Sequence, residues 1–175
     1  HGAFPHLTID PIPIAAQLIG AMQTLVSRAT SPNDSVVLSV TKVHAGDAYN
    51  VIPDAARLSG TVRCFSMDKM RELEEQARKL AQSVAAGHGA SATLDFRVPF
   101  HPVVNDDEAT QFAGDICASI AGEGNVLRSG APGTGSEDFS FMSEEVPGCY
   151  LIIGNGEDSS ALHNPSYDFN DDALV

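Results

Sequence analysis

The sequence predicts a mixed α/β (α+β) protein in two parts, and two observations carry that expectation. From residue 11 to residue 98 the apolar positions recur at helical spacing, alternate twice, recur helically again and alternate once more, an α-β-β-α-β order. At Pro99-Phe100-His101-Pro102 two prolines then forbid regular structure, and the pattern beyond them changes character. A chain of 175 residues, 43% of them hydrophobic, is long enough for one ordinary domain or two small ones with a real core.

Asp10-Pro11 starts the first helix, Asp as N-cap and Pro at the first helical position. Ala15, Leu18, Ile19, Met22, Leu25 and Val26 form its apolar stripe, and Ser31-Pro32-Asn33-Asp34 stops it. Val36, Leu38 and Val40 alternate with Val37, Ser39 and Thr41 as a first strand. After the connection His44–Asn50 and Pro53-Asp54, a second strand runs from Ala56 to Phe65. Leu58, Gly60, Val62 and Cys64 lie on one face, and Arg57, Ser59, Thr61 and Arg63 on the other. Ser66 or Asp68 caps a second helix with Met70, Leu73, Ala77, Leu80 and Val84 as its stripe, ended by Gly87-His88-Gly89. Ala92, Leu94, Phe96 and Val98 alternate as a third strand. One strand before His1 would complete βαββαβ, so this part reads as a ferredoxin-like sandwich lacking its first strand.

Past the prolines, Asn105-Asp106-Asp107-Glu108 opens a helix through Phe112, Ile116 and Ile120, with acids at the positive end of its dipole. Val126-Leu127-Arg128 reads as a short strand and residues 130–135 as a flexible loop. Ser136-Glu137-Asp138 reads as the cap of a short helix. Tyr150-Leu151-Ile152-Ile153 has the apolar character of a strand buried in a parallel sheet.

The net charge of -13 and pI near 4.6 argue against nucleic acid and anionic membrane surfaces as partners, since both require basic patches. With a mean hydropathy of -0.04 and no long apolar run, no bilayer span is expected. His1-Gly2-Ala3-Phe4-Pro5-His6 has neither a charged n-region nor an apolar h-region, so it is not a signal peptide. It also lacks an initiator Met, as in a processed chain or a piece of a longer one. Cys64, Cys117 and Cys149 are odd in number and widely spaced, as expected of reduced thiols in a cytoplasmic protein.

Several residues stand out as carriers of chemistry. His163 precedes a Pro-containing turn and a run of carboxylates; it is either a loop-borne metal ligand or a turn histidine bonded to Asp168 or Asp171. His1 and His6 are loop residues, either polar groups beside a helix start or hydrogen-bond donors to a substrate oxygen. Arg63, on the polar strand face at the end far from Pro53, is placed to hold a carboxylate with two parallel N–H···O bonds, or else lines a solvated face. Asn50 either donates its amide to a carbonyl or closes its turn. The Gly-rich 133–138 segment lacks the lysine and spacing of a P-loop, and its Glu137 and Asp138 argue against phosphate.

Four motifs stand in one order: His1-Gly2-Ala3-Phe4-Pro5-His6; Gly46-Asp47-Ala48-Tyr49-Asn50-Val51-Ile52-Pro53 with Arg63; Gly135-Ser136-Glu137-Asp138-Phe139; and His163-Asn164-Pro165-Ser166-Tyr167-Asp168-Phe169-Asn170-Asp171. Together they resemble the M20 metallopeptidases in their amidohydrolase branch, which includes hippurate hydrolases, N-acyl-amino-acid amidohydrolases and auxin-conjugate hydrolases. The resemblance implies a ferredoxin-like lid or dimerisation domain at residues 1–100 and the C-terminal part of an α/β catalytic domain at 101–175. It implies hydrolysis of the amide of an N-acyl amino acid or small peptide-like substrate, two divalent ions (zinc or manganese) and a homodimer formed through the lid. By the same resemblance His163 is a metal ligand, and His1 polarises the scissile carbonyl in the neighbouring subunit. Asn50 and Arg63 bind the substrate's carbonyl and carboxylate, and Glu137 and Asp138 lie on a substrate-side loop. The family's other ligands and its general base belong to an N-terminal half that is not in this sequence. The stretch is therefore expected to be inactive alone and to hold an incomplete metal site. The contrasting expectation, from composition and periodicity alone, is a non-catalytic association or small-ligand-binding module.

Overall fold

The computed structural model describes residues 1–174; Val175, the last residue of the second expected domain, lies outside the described residues. The helices are α1 (Pro11–Ser27), α2 (Met67–Gly87), α3 (Asp107–Ala121) and α4 (Phe139–Glu145), and the strands β1 (Val36–Ala45) and β2 (Ala56–Cys64). The chain divides into two compact units, His1–Pro102 with Gly130–Ser140, and Val103–Ser129 with Phe141–Val175.

In the first unit, Asp10 caps α1 by accepting the Ile12 N–H at 2.9 Å, and Pro11 sits where its missing N–H costs nothing. The helix buries Ile14, Ala15, Met22 and Leu25. Ser66 caps α2, resolving the choice between Ser66 and Asp68, and Lys69 bridges Asp34 (3.2 Å) and Glu72 (2.7 Å) at the start of that helix. The hydrogen bonds that Lys69 donates to Glu72 and then to Asp34 raise its pKa. The buried stripe of α2 is Met70, Leu73, Ala77, Ala81 and Ala85. Leu80 and Val84, the expected later members, are half-buried. Small alanines let the C-terminal half of α2 come close to its neighbours, so that half turns its Ala face inward. At its far end His88 Nε2 lies 2.6 Å from Gln17 Oε1, tying α2 to α1.

β1 and β2 pair antiparallel, Val36 opposite Cys64 and Ala45 opposite Ala56. Val36, Leu38, Val62 and Cys64 face the core made by Met22, Leu25, Leu73, Ala77 and Ala81. The opposite face carries the pairs Val37–Arg63 and Ser39–Thr61. Between Val40 and Lys42 the register shifts, leaving Thr41 as the extra residue of a bulge. Gly60 sits at that irregularity. A Cβ there would overlap the Ser39 carbonyl oxygen, so the close approach of the two backbones requires glycine.

Three expected strands do not form among the described residues. Residues 92–98 alternate in burial as a strand would, Ala92 and Leu94 pack on the core, and Arg78 Nη1 donates to the Leu94 carbonyl at 2.9 Å. Yet the sheet has only two strands. In a ferredoxin-like sheet the last strand lies beside the first rather than beside the central hairpin, so this hairpin offers residues 92–98 no ladder. Residues 126–128 follow a 3₁₀ turn, and Leu151, Ile152 and Ile153 are 51%, 88% and 69% exposed rather than buried. A parallel strand requires neighbours on its edges, and the described residues give these segments none.

In the second unit Asp106 caps α3 by accepting the Ala109 N–H at 2.9 Å. Past the end of α3, Arg128 bonds Glu123 through Nε (2.8 Å) and Nη2 (3.0 Å) and reaches Asp115 through Nη1 (2.8 Å). Its guanidinium covers the buried Gly114. The hydrogen bonds to Arg128 hold the Glu123 carboxyl below its ordinary pKa. Asn105 fixes the 150 region twice, donating to the Tyr150 carbonyl at 3.2 Å and accepting its N–H at 2.9 Å. No helix of the described residues is long and apolar enough to cross a membrane.

Leu73, 1% exposed at the centre of the core, is expected to cost about 2–5 kcal/mol when replaced by Ala. Gly60→Ala is expected to cost about 1–3 kcal/mol through overpacking against β1. Urea unfolding measures both, and a Gly60→Ala protein as stable as the parent would contradict the close approach at the bulge.

Candidate functional site

The first cluster joins two motifs far apart in sequence. The Gly2 N–H donates to the Asn50 carbonyl at 2.7 Å, holding the N-terminal turn against the connection between β1 and β2. In that turn the His1 carbonyl accepts the Phe4 N–H at 2.9 Å, and the imidazole lies 5.6 Å from the Phe4 ring. The Ala3 N–H donates to His1 Nδ1 at 3.1 Å. With Nδ1 an acceptor, the neutral ring carries its proton on Nε2, so the exposed side of His1 presents an N–H donor. Gly46, at φ 73°, packs against the Pro53 ring and bends the connection. Beside it, His6–Ile9, Pro53 and Asp54 line an open surface depression.

Arg63 is half-buried on the outward face of β2, opposite Val37. Lys69, Arg71, Arg78, Arg97 and Arg128 are in ion pairs; Arg63, like Arg28, Lys42, Arg57 and Lys79, is in none among the described residues. Its planar fork is therefore available to an external carboxylate. Arg63 pairs at one end of the hairpin and Asn50 lies in the connection at the other. At about 3.3 Å per residue, the ladder between Arg63 and Ala56 is roughly 20 Å long. The structure thus brings His1 and Asn50 together and sets Arg63 at the opposite end.

Glu137 and Asp138 belong to the 130–140 segment of the first unit. The Asp138 N–H donates to Glu137 Oε1 at 3.0 Å, and the Glu137 carbonyl accepts the Ser140 N–H at 3.3 Å, an arrangement that starts α4.

His163 belongs to the second unit. It is exposed and, of the described non-glycine residues, the one with positive φ, at 68°. Neither Asp168 nor Asp171 bonds its imidazole, so the turn-histidine arrangement does not form. Asn164 builds the turn after it, its Oδ1 accepting the Ser166 N–H at 2.8 Å and its carbonyl the Tyr167 N–H at 2.9 Å. The feet of the loop meet at Asn155, which donates through Nδ2 to the Asp168 carbonyl at 2.7 Å and accepts the Asn170 N–H through Oδ1 at 2.7 Å. Sequence reasoning missed Asn155; its one signal was a position between Gly154 and Gly156, which marks a turn and no more. No group of three or more His, Cys, Asp or Glu among the described residues is arranged to hold a metal ion.

A left-handed backbone strains any residue with a Cβ by roughly 1–2 kcal/mol. His163→Gly is accordingly expected to leave the melting temperature unchanged or raise it. A clear drop in calorimetry would show that the imidazole is kept for packing.

The N-acetylcysteine deacetylase of Bacillus subtilis (strain 168) is 36% identical to this chain, aligned over 100% of the chain and 45% of the relative. The hippurate hydrolase of Campylobacter jejuni subsp. jejuni is 35% identical, again over 100% and 45%. The crystal structure of the Bacillus subtilis YXEP protein, a dinuclear metal binding peptidase from the M20 family, superposes with a TM-score of 0.74 at 32% identity, covering 95% of this chain and 42% of that one. The chain spans under half the length of these relatives. The mixed helix–strand fold implied by the four motifs is that of the corresponding part of YXEP. With residues 9–175 matched by the family's sequence profile, the chain belongs to peptidase family M20/M25/M40.

Proposed function

We propose that this chain is the C-terminal portion of a metal-dependent amidohydrolase that cleaves N-acyl amino acids or small peptide-like substrates. The observation that carries this reading is the 2.7 Å main-chain bond joining the His1 turn to the Asn50 connection, which makes the two polar residues neighbours in the fold. His1 Nε2–H donates to the acyl oxygen and strengthens its hydrogen bond as negative charge develops there. The Asn50 amide donates to the same carbonyl. Arg63 holds the free carboxylate with its two parallel N–H groups. Glu137 and Asp138 lie on the substrate side.

His163 suits one coordination position: an exposed imidazole with no competing hydrogen bond among the described residues. In this reading it is one ligand of a pair of divalent ions, zinc or manganese, whose other ligands lie outside this chain. When bound, such a pair supplies Lewis-acid activation of water and carbonyl. Residues 1–100 serve as the lid and dimerisation domain and 101–175 as part of the catalytic domain. The three free thiols support a reducing, cytoplasmic compartment.

The separation of Arg63 from His1 and Asn50 supports a homodimer in which each site takes His1 and Asn50 from one copy and Arg63 from the other. The purified 175-residue chain is expected to hydrolyse no N-acyl amino acid with added zinc or manganese; turnover by it would contradict the incomplete ligand set. In the complete gene product, His1→Ala is expected to lower kcat about 10²–10³-fold, and Arg63→Ala to raise KM. Co-expressing the two variants is expected to restore activity, because half of the mixed dimers' sites draw on intact His1 and intact Arg63. Absence of restoration would place both residues in the same copy's site.

A further inference from the structure

We propose that Asn155 is a positioning residue for His163, an inference that rests on the reading of His163 as a metal ligand. One side chain closes the loop 156–169: Nδ2 donates to the Asp168 carbonyl and Oδ1 accepts the Asn170 N–H, each at 2.7 Å. Both partners are main-chain groups of a single polarity, so the amide has only one orientation that satisfies them. A donor and an acceptor on one carbon are needed to make both bonds. The closed segment has the length and joined ends of an Ω-loop, and Gly156 at φ 99° provides the bend leaving its first foot.

His163 lies inside this closure at φ 68°. A strained backbone persists only where its surroundings over-determine it. Two tiers of hydrogen bonds do so here. The inner tier is the Asn164 turn, with the Asn164 N–H donating to the Ala161 carbonyl at 3.1 Å; the outer tier is the Asn155 clamp. A metal-ligating histidine is ordinarily oriented by a carboxylate or carbonyl on its second ring nitrogen. Among the described residues no such partner holds the His163 ring, so the closed backbone sets where the imidazole is presented. The role of Asn155 is thus to keep the ligand in place before metal arrives.

The test uses the complete gene product and its Asn155→Ala, Asn155→Asp and His163→Ala variants, with zinc affinity measured by chelator competition and the metal-free melting temperature alongside. Asn155→Asp is nearly isosteric and keeps the acceptor for Asn170, but it places an oxygen against the Asp168 carbonyl. Both Asn155 variants are expected to weaken zinc binding about 10–100-fold, less than His163→Ala does. The metal-free melting temperature should stay unchanged, and excess zinc should restore kcat with KM unaltered. Weakening in His163→Ala with normal affinity in both Asn155 variants would overturn the inference while leaving the ligand reading intact. Normal affinity in His163→Ala would overturn the ligand reading itself, and the inference with it. Loss of affinity that only tracks a loss of metal-free stability would make Asn155 a scaffold residue and also count against the inference.

Discussion

The antiparallel register between Val36–Ala45 and Ala56–Cys64 is the constraint on which the first unit depends. Because side chains alternate across a strand, a slip of one residue would send Val36, Leu38, Val62 and Cys64 to the solvent face and Arg63 into the core. The Gly60 contact and the bulge at Thr41 hold that register at mid-hairpin. From the same register follow the seat of α1 and α2 on the inner face, the place of Arg63 on the outer face, and the projection of the Asn50 connection from the opposite end. The partition of the candidate substrate-binding groups is thus a consequence of strand pairing, and it supports assembly of a complete site from two copies.

The second unit is organised differently. In α3 only Gly114 is buried, while Phe112 and Ile120 are 69% and 75% exposed, as is Ile152 at 88%. What orders the His163 loop is local hydrogen bonding, by Asn155 at its feet and Asn164 at its tip, in place of packed side chains. Such a device can hold a left-handed backbone at His163 without a core beneath it.

The parts of the fold legible in the sequence are those set by local chemistry. Asp10 reads as a cap, Ser66 as one of two candidates and residues 105–108 as a helix start, because a cap is decided within three residues of itself. The inward and outward faces of β2 followed from alternation alone. The segment 92–98 was legible as an alternating stretch but not as an unpaired one, since a ladder depends on a neighbour that periodicity cannot see. Periodicity points to Leu80 and Val84 where the structure buries Ala81 and Ala85, because hydrophobicity does not show how closely a helix must approach. For the site, His1, Asn50, Arg63 and His163 were picked out by residue type and motif order. The Gly2–Asn50 bond, the left-handed backbone at His163 and the Asn155 clamp were not, because each depends on contacts between segments distant in sequence or on a single dihedral angle.

In the proposed homodimer, Arg63 and the His1–Asn50 cluster of one copy serve different sites. A crystal structure of the complete gene product with a non-hydrolysable N-acyl amino acid tests it most directly. The ligand's carboxylate is expected on Arg63 of one copy, with its carbonyl mimic within hydrogen-bond distance of His1 and Asn50 of the other. A single ligand held by Arg63, His1 and Asn50 of the same copy would contradict it.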